Sequence, residues 1–183
     1  MAELRRGMLL VASPVLADPN FFRSVVLLVD YDQNGAVGVV LDRPLDLEVR
    51  DHLPAWCDRL APPARVFEGG PVQPETAIGV AHRPGIAADD IWQPTPDFVG
   101  FVDVSRDPDD VDGLEEMRVF SGYAGWGAGQ LEMELGIGSW FPVEGSVDDV
   151  FDPVPTTLWR RVLLRQEAHI ARYANYPIDP RNN

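Results

Sequence analysis

At 183 residues, 45% hydrophobic and 24% charged and free of low-complexity tracts, the chain has the composition of one globular domain, expected over 1–183 with a frayed tail at 176–183. Fifteen arginines and no lysine stand against 29 acids, a net charge of −14 and a pI near 4.4. That field opposes nucleic acid and anionic membranes, and the missing lysine excludes Schiff-base chemistry and a phosphate-loop lysine.

No apolar run reaches the roughly 20 residues of a membrane-spanning helix, and Met8–Ala12 is too short for a signal-peptide core, so a cytoplasmic location is expected. The first element is a short buried strand at "GMLLVAS". Two nearly continuous apolar runs, "RSVVLLVDY" and "AVGVVLDRP", flank "DQNG". Asn34-Gly35 is a hairpin-turn signal. Runs of this kind imply a hairpin covered on both faces, with Val25, Leu27, Val37 and Val39 inside. Pro44 ends the second strand, and "DLEVRDHLPAWCDRL" reads as a helix interrupted near Pro54. Within it Cys57, the only cysteine, lies beside Asp51 and Asp58, which work against a thiolate; it reads as a packed side chain.

Further strands follow at "ARVFEGGPV", "TAIGVAHRP" and "DFVGFVDVS", the last two separated by a polar, proline-rich loop. The acidic run "SRDPDDVDGLEEM" fails as a calcium loop. With Gly113 at the sixth position, Pro108 and Val119 fall where the first and last ligands belong. It reads instead as a helix start, with Asp107 as N-cap and Pro108 at the first position.

"MRVFSGY" is a strand entering the glycine-rich stretch "SGYAGWGAGQLEMEL". Gly125, Gly127 and Gly129 lack the spacing of a dinucleotide loop, and Glu132 and Glu134 stand where a phosphate would sit. No Arg or His occurs between Val119 and Trp159. The glycines therefore read as a chain reversal needing positive φ or close backbone approach, with Tyr123 and Trp126 wedging it against the sheet. "GSWFPVEG" is a last short strand, and "PTTLWRRVLLRQEAHIARYA" is the strongest helical pattern, with Trp159, Leu163, Gln166, Ile170 and Tyr173 at helical spacing. Arg161, Arg165 and Arg172 share one face of it, read as solvated or paired with the protein's own acids. Strand clusters with irregular helices favour α+β.

His52, His82 and His169 have no metal-ligand spacing, and none of Ser24, Ser121 or Ser139 lies in a nucleophile-elbow motif. No cofactor, metal site or catalytic set is expected.

"GMLLVASPVLADPNFFRSVVLLVDY", "GAVGVVLDRPL", "VFEGGPV", "FSGYAGWGAGQLEMEL" and "GSW", in that order, resemble the YqgE/AlgH family of small bacterial cytoplasmic proteins over roughly residues 7 to 140, continuing to "LWRRVL". Members often have Asn where this chain has Asp42. The resemblance implies an α+β fold with a branched mixed sheet curled into a partial barrel and helices outside it. It implies no settled activity and brings no catalytic residues; some members carry a transcriptional-regulator label from a role in exopolysaccharide control. Three readings of function follow. The first is a non-enzymatic regulatory or protein-interaction domain, expected as a monomer. The second is an enzyme or small-ligand binder with a pocket near 121–130, its surface formed by Tyr123, Trp126, Gln130 and Trp140. The third, direct DNA binding, lacks a helix-turn-helix signature and has the wrong charge.

Overall fold

The computed structural model describes residues 4–89, 92–94 and 99–177. Among these residues ten strands form one mixed sheet: β1 (Leu9–Ala12), β2 (Val25–Asp32), β3 (Gly35–Val40), β4 (Pro44–Glu48), β5 (Arg65–Glu68), β6 (Val72–His82), β7 (Trp92–Pro94), β8 (Gly100–Val102), β9 (Glu116–Gly127) and β10 (Trp140–Val143). The main path runs β10-β1-β2-β3-β9-β6-β8-β7, and β4 and β5 branch from it. The sheet is open, with β10 and β7 at its ends, and does not close into a barrel. Helices α1 (Gln130–Gly136), α2 (Val147–Val150), α3 (Leu158–Leu164) and α4 (Ala168–Ala171) accompany it. The α+β class and the branched sheet agree with the sequence and the resemblance.

The branch is made by β9. Its first half pairs with β6 on one side and runs parallel to β5 on the other, Val119 opposite Val66 and Ser121 opposite Glu68. Its second half leaves β5 and pairs with β3, Ala124 opposite Gly38 through Gly127 opposite Gly35. Between the two lies Gly122, with φ of +69°, where an added Cβ would come within 2.6 Å of the Gly70 carbonyl and 2.8 Å of that of Val72. Only glycine permits both this backbone conformation and this approach.

The hairpin of β2 and β3 is covered on both faces, as its apolar runs predict. One face carries Leu9, Val11, Val25, Leu27 and Val39 against Leu158, Trp159, Val162 and Leu163 of α3. The other carries Leu10, Ala12, Val26, Leu28 and Val40 against Trp126, Leu131 and Trp140. Alternation along each strand supplies both faces. Val37, expected inside, is only half-buried at the margin of the first cluster. A third cluster, with Trp56, Trp92 and Met117, packs around β6 and the start of β9. The hairpin loop is Gln33-Asn34, because Asp32 pairs with Gly35; the Asp32 carboxylate accepts from the Asn34 backbone N–H at 2.7 Å.

Four expectations need correction. "DLEVRDHLPAWCDRL" is not a helix. Its start is β4, paired with β5 (Pro44 opposite Phe67, Glu48 opposite Arg65), and only the 3-10 turns Val49–Asp51 and Pro54–Arg59 follow. A sheet partner overrides local helical preference here. The proline-rich loop contributes β7, which pairs with β8. The terminal helix is interrupted: α3 stops at Leu164, Glu167 adopts an extended ψ of 152°, and α4 starts afresh. That break turns Tyr173 onto Phe141, with rings stacked at 5.4 Å. Finally, the glycine-rich stretch is not a reversal along its length. It remains β strand as far as Gly127, because β3 and β6 offer backbone partners. The acidic run does open a single 3-10 turn, Pro108–Asp110, capped by the Asp107 side chain on the Asp109 N–H. Of the tail expected to fray, only Tyr176 and Pro177 lie within the described residues.

Candidate functional site

The glycine-rich strand ends at Gly127 in a turn of two residues, Ala128 and Gly129, and Gly129 takes φ of +74° as the residue before α1. Four residues into the helix, Glu134 reaches back over the sheet. One carboxylate oxygen accepts both indole N–H groups, from Trp126 at 2.9 Å and Trp140 at 2.8 Å. The other accepts from the Gln130 amide at 3.0 Å, and the Gln130 carbonyl oxygen accepts the Gly127 N–H at 3.1 Å. The two indoles meet edge to face at 5.9 Å, and Phe21 stacks on Trp126 and meets Trp140 edge-on. Trp126 is 6% and Trp140 2% exposed. Charge-assisted bonds to an anionic acceptor make this a well-fixed corner.

Trp126, Gln130 and Trp140 are thus brought together around a residue that sequence reasoning assigned only to the helix dipole. Tyr123 is not among them. Three positions before Trp126 on a strand it faces the opposite side, half-buried against the α3 cluster. Glu132 is also committed: the Tyr31 hydroxyl donates to it at 2.7 Å, which holds its carboxyl below the usual range. Ser121 donates its hydroxyl to the Pro74 carbonyl.

Beside this corner lies a groove of about 760 Å³ between α1, β10 and α4. Leu4, Leu135, Phe141, Val143 and Ile170 supply apolar walls, and Trp140 forms part of its floor. Polar groups stand at its border: Glu132, Gln166, Glu167 and His169. Sequence reasoning missed this groove, since its walls come from segments that only the break after α3 brings together. Met133 and Ile137, on α1 and just after it but outside the groove's lining, are 63% and 72% exposed.

Elsewhere the ionisable groups serve the fold. Arg165 holds the buried Asp149 through both guanidinium nitrogens, at 2.6 and 2.7 Å, and Arg161 pairs with Asp152. Arg172 instead lies over the Tyr173 ring. Arg118, fully buried, donates to the carbonyls of Val150, Pro62 and Asp152 and lies 4.2 Å from the Phe67 ring centre; burial lowers its pKa to about 10. His82 lies beside Glu115 and His169 beside Glu167. Among the described residues no group of three or more His, Cys, Asp or Glu could hold a metal ion. Asp42 accepts from the Val25 N–H at 3.2 Å, and burial pushes its carboxyl up to about 7.

Comparison with known proteins bears on the chain and its fold. The profile of the AlgH-like family, DUF179, matches residues 9–171. A UPF0301 protein of Streptomyces avermitilis is 48% identical over 182 residues, which cover 97% of this chain and 94% of that protein. A UPF0301 protein of Thermobifida fusca is 43% identical over 190 residues, covering 97% and 94%. Among solved structures, protein DIP2367 from Corynebacterium diphtheriae superimposes with a TM-score of 0.89 at 30% identity, over 95% of this chain and 93% of that one. The solution structure of AlgH from Pseudomonas aeruginosa gives 0.66 at 28%, over 86% of each. By its sequence from the first strand to the last helix, and by its fold, this chain belongs to the AlgH-like family.

Proposed function

We propose that the chain is a non-enzymatic protein-interaction domain of the bacterial cytoplasm that docks its partner in the groove between α1, β10 and α4. The observation that carries this reading is the division of labour around Glu134. The polar atoms of the glycine-rich corner are spent on one another, whereas the adjoining groove is apolar and open. Open apolar concavities bordered by polar residues mark interaction sites. No helix among the described residues is long and apolar enough to cross a membrane, and the net charge of −14 disfavours direct contact with DNA. Any regulatory effect is then exerted through another protein, with the domain itself a monomer.

A photo-crosslinking residue at Ile137, expressed in a native host, should yield a discrete protein adduct absent when the same residue replaces the fully exposed Asp46. No adduct from position 137, or identical adducts from both positions, would refute the reading. The second reading, a small-ligand site, is favoured by one observation: about 760 Å³ lies within the ~300–1,000 Å³ typical of ligand pockets. Native mass spectrometry showing a retained small molecule that is lost in Ile170→Asp would favour it.

A further inference from the structure

We propose that the groove takes a basic amphipathic helix of a partner protein, its apolar face against Leu135, Phe141 and Ile170 and its Arg or Lys residues against Glu132 and Glu167. This rests on the protein-binding reading above and adds the partner's chemistry.

Charge decides the partner's sign. Among the described residues the groove's acids are Glu132 and Glu167, the latter with an 86% exposed side chain, and His169 is the only basic residue lining it. The two arginines nearest in sequence to its α3–α4 wall and Leu4 corner are engaged elsewhere: Arg165 with Asp149 and Arg5 with Glu144. With −14 on the whole chain, a cationic partner is steered to this face and an anionic one repelled. Glu132 is held ionised by the Tyr31 hydroxyl, so the border keeps its charge through the neutral range.

Backbone geometry decides between helix and strand. β10 is an edge strand, and adding a further strand to it would be the obvious alternative. The Ser13 N–H bonds to the Ser139 carbonyl, and Val11 stands opposite Phe141. Alternation therefore turns Ser139, Phe141 and Val143 toward β1 and leaves Trp140 and Pro142 facing out. Pro142 has no N–H to offer, so the free edge lacks a donor where a new strand would need one. A helix needs none, because its backbone is satisfied internally. Ile137, exposed and lying in sequence between the groove-lining Gly136 and Gly138, adds apolar surface at the C-terminal end of α1.

The test uses the full chain, a fluorescent 18-residue Leu/Arg amphipathic helix, and a counterpart in which every Arg is Glu. Amide chemical-shift mapping with the basic peptide should move Leu135–Val143 and Gln166–Ile170 and leave β4 and β5 still. The acidic peptide should bind at least tenfold more weakly. Glu132→Gln with Glu167→Gln should weaken the basic peptide about tenfold and narrow the preference between peptides. Ile137→Ser, at an exposed position where folding is unaffected, should weaken both peptides. Equal binding of the two peptides, or shifts confined to another face, would overturn the proposal. If position 137 still crosslinks a protein in cells, that result leaves the docking reading standing; absence of both peptide binding and adduct removes the two together. Saturable binding of phosphatidylglycerol vesicles through Ile137 would overturn it in favour of a membrane surface.

Discussion

Glu134→Ala is the perturbation that best probes the corner beneath the groove. In the wild type one oxygen of Glu134 satisfies two indole N–H groups, on side chains only 6% and 2% exposed. Removing it strands both. A buried donor left unpaired costs about 1–3 kcal/mol, so two give about 2–6 kcal/mol. Glu134 itself is half-buried, so water can enter the vacated space and the lower half of that range applies, about 3 kcal/mol. Glu134→Gln gives an internal control. Its amide oxygen can still accept both indoles, but its NH2 then meets the NH2 of Gln130, whose own oxygen is held by the Gly127 N–H. One donor–donor conflict at an exposed residue should cost about 1 kcal/mol. Urea unfolding followed by tryptophan fluorescence, with unchanged m, measures both. An Ala variant within about 1 kcal/mol of wild type would show that the indoles do not depend on this carboxylate, and the reading of the corner as a closed unit would fall.

Gly122→Ala should lose more than about 2 kcal/mol, since it combines positive φ with collision against two carbonyls. Gly127→Ala, by contrast, has no positive φ and open space, and should be neutral or stabilising by up to about 1 kcal/mol; thermal melts that ranked the two the other way would refute the branch-point argument. Trp126→Ala should cost about 3–5 kcal/mol, because the ring is packed in the core; a loss under 1 kcal/mol in the same assay would refute that. Asp42 has a folded pKa of about 7 against an unfolded value near 4, so the folded state holds the extra proton between them. Stability should therefore decline as pH rises from about 4 to about 7. Asp42→Asn, which keeps an acceptor for the Val25 N–H, should flatten that decline and be more stable at pH 8; an unchanged slope would show that Asp42 is not its source. Arg165→Ala should cost about 2 kcal/mol by leaving the buried Asp149 carboxylate without its cation, read by urea unfolding, and a cost near zero would mean solvent replaces the arginine fully.

What the sequence by itself determined is what depends on local pattern and gross charge. The unbroken apolar runs at Val25–Val29 and Val37–Leu41 required a hairpin with both faces covered, and α3 and the Trp126–Trp140 cluster cover them. Glu132 and Glu134, with no cation from Val119 to Trp159, argued against a phosphate loop before any geometry was known. The ordered motifs carried the family. Tertiary structure decided the rest, wherever an element's state depends on a partner distant in the chain. "PLDLE" becomes β4 because β5 lies beside it, and "SGYAGWG" stays extended because β3 and β6 bind its backbone. Tyr123 parts from Trp126 because strand alternation, not proximity in sequence, assigns the faces. The groove exists only because the chain leaves helical geometry at Glu167, which sets Ile170 over the edge strand 27 residues earlier in the chain at Val143. A break of that kind is fixed by what packs on either side of it, so no local pattern records it.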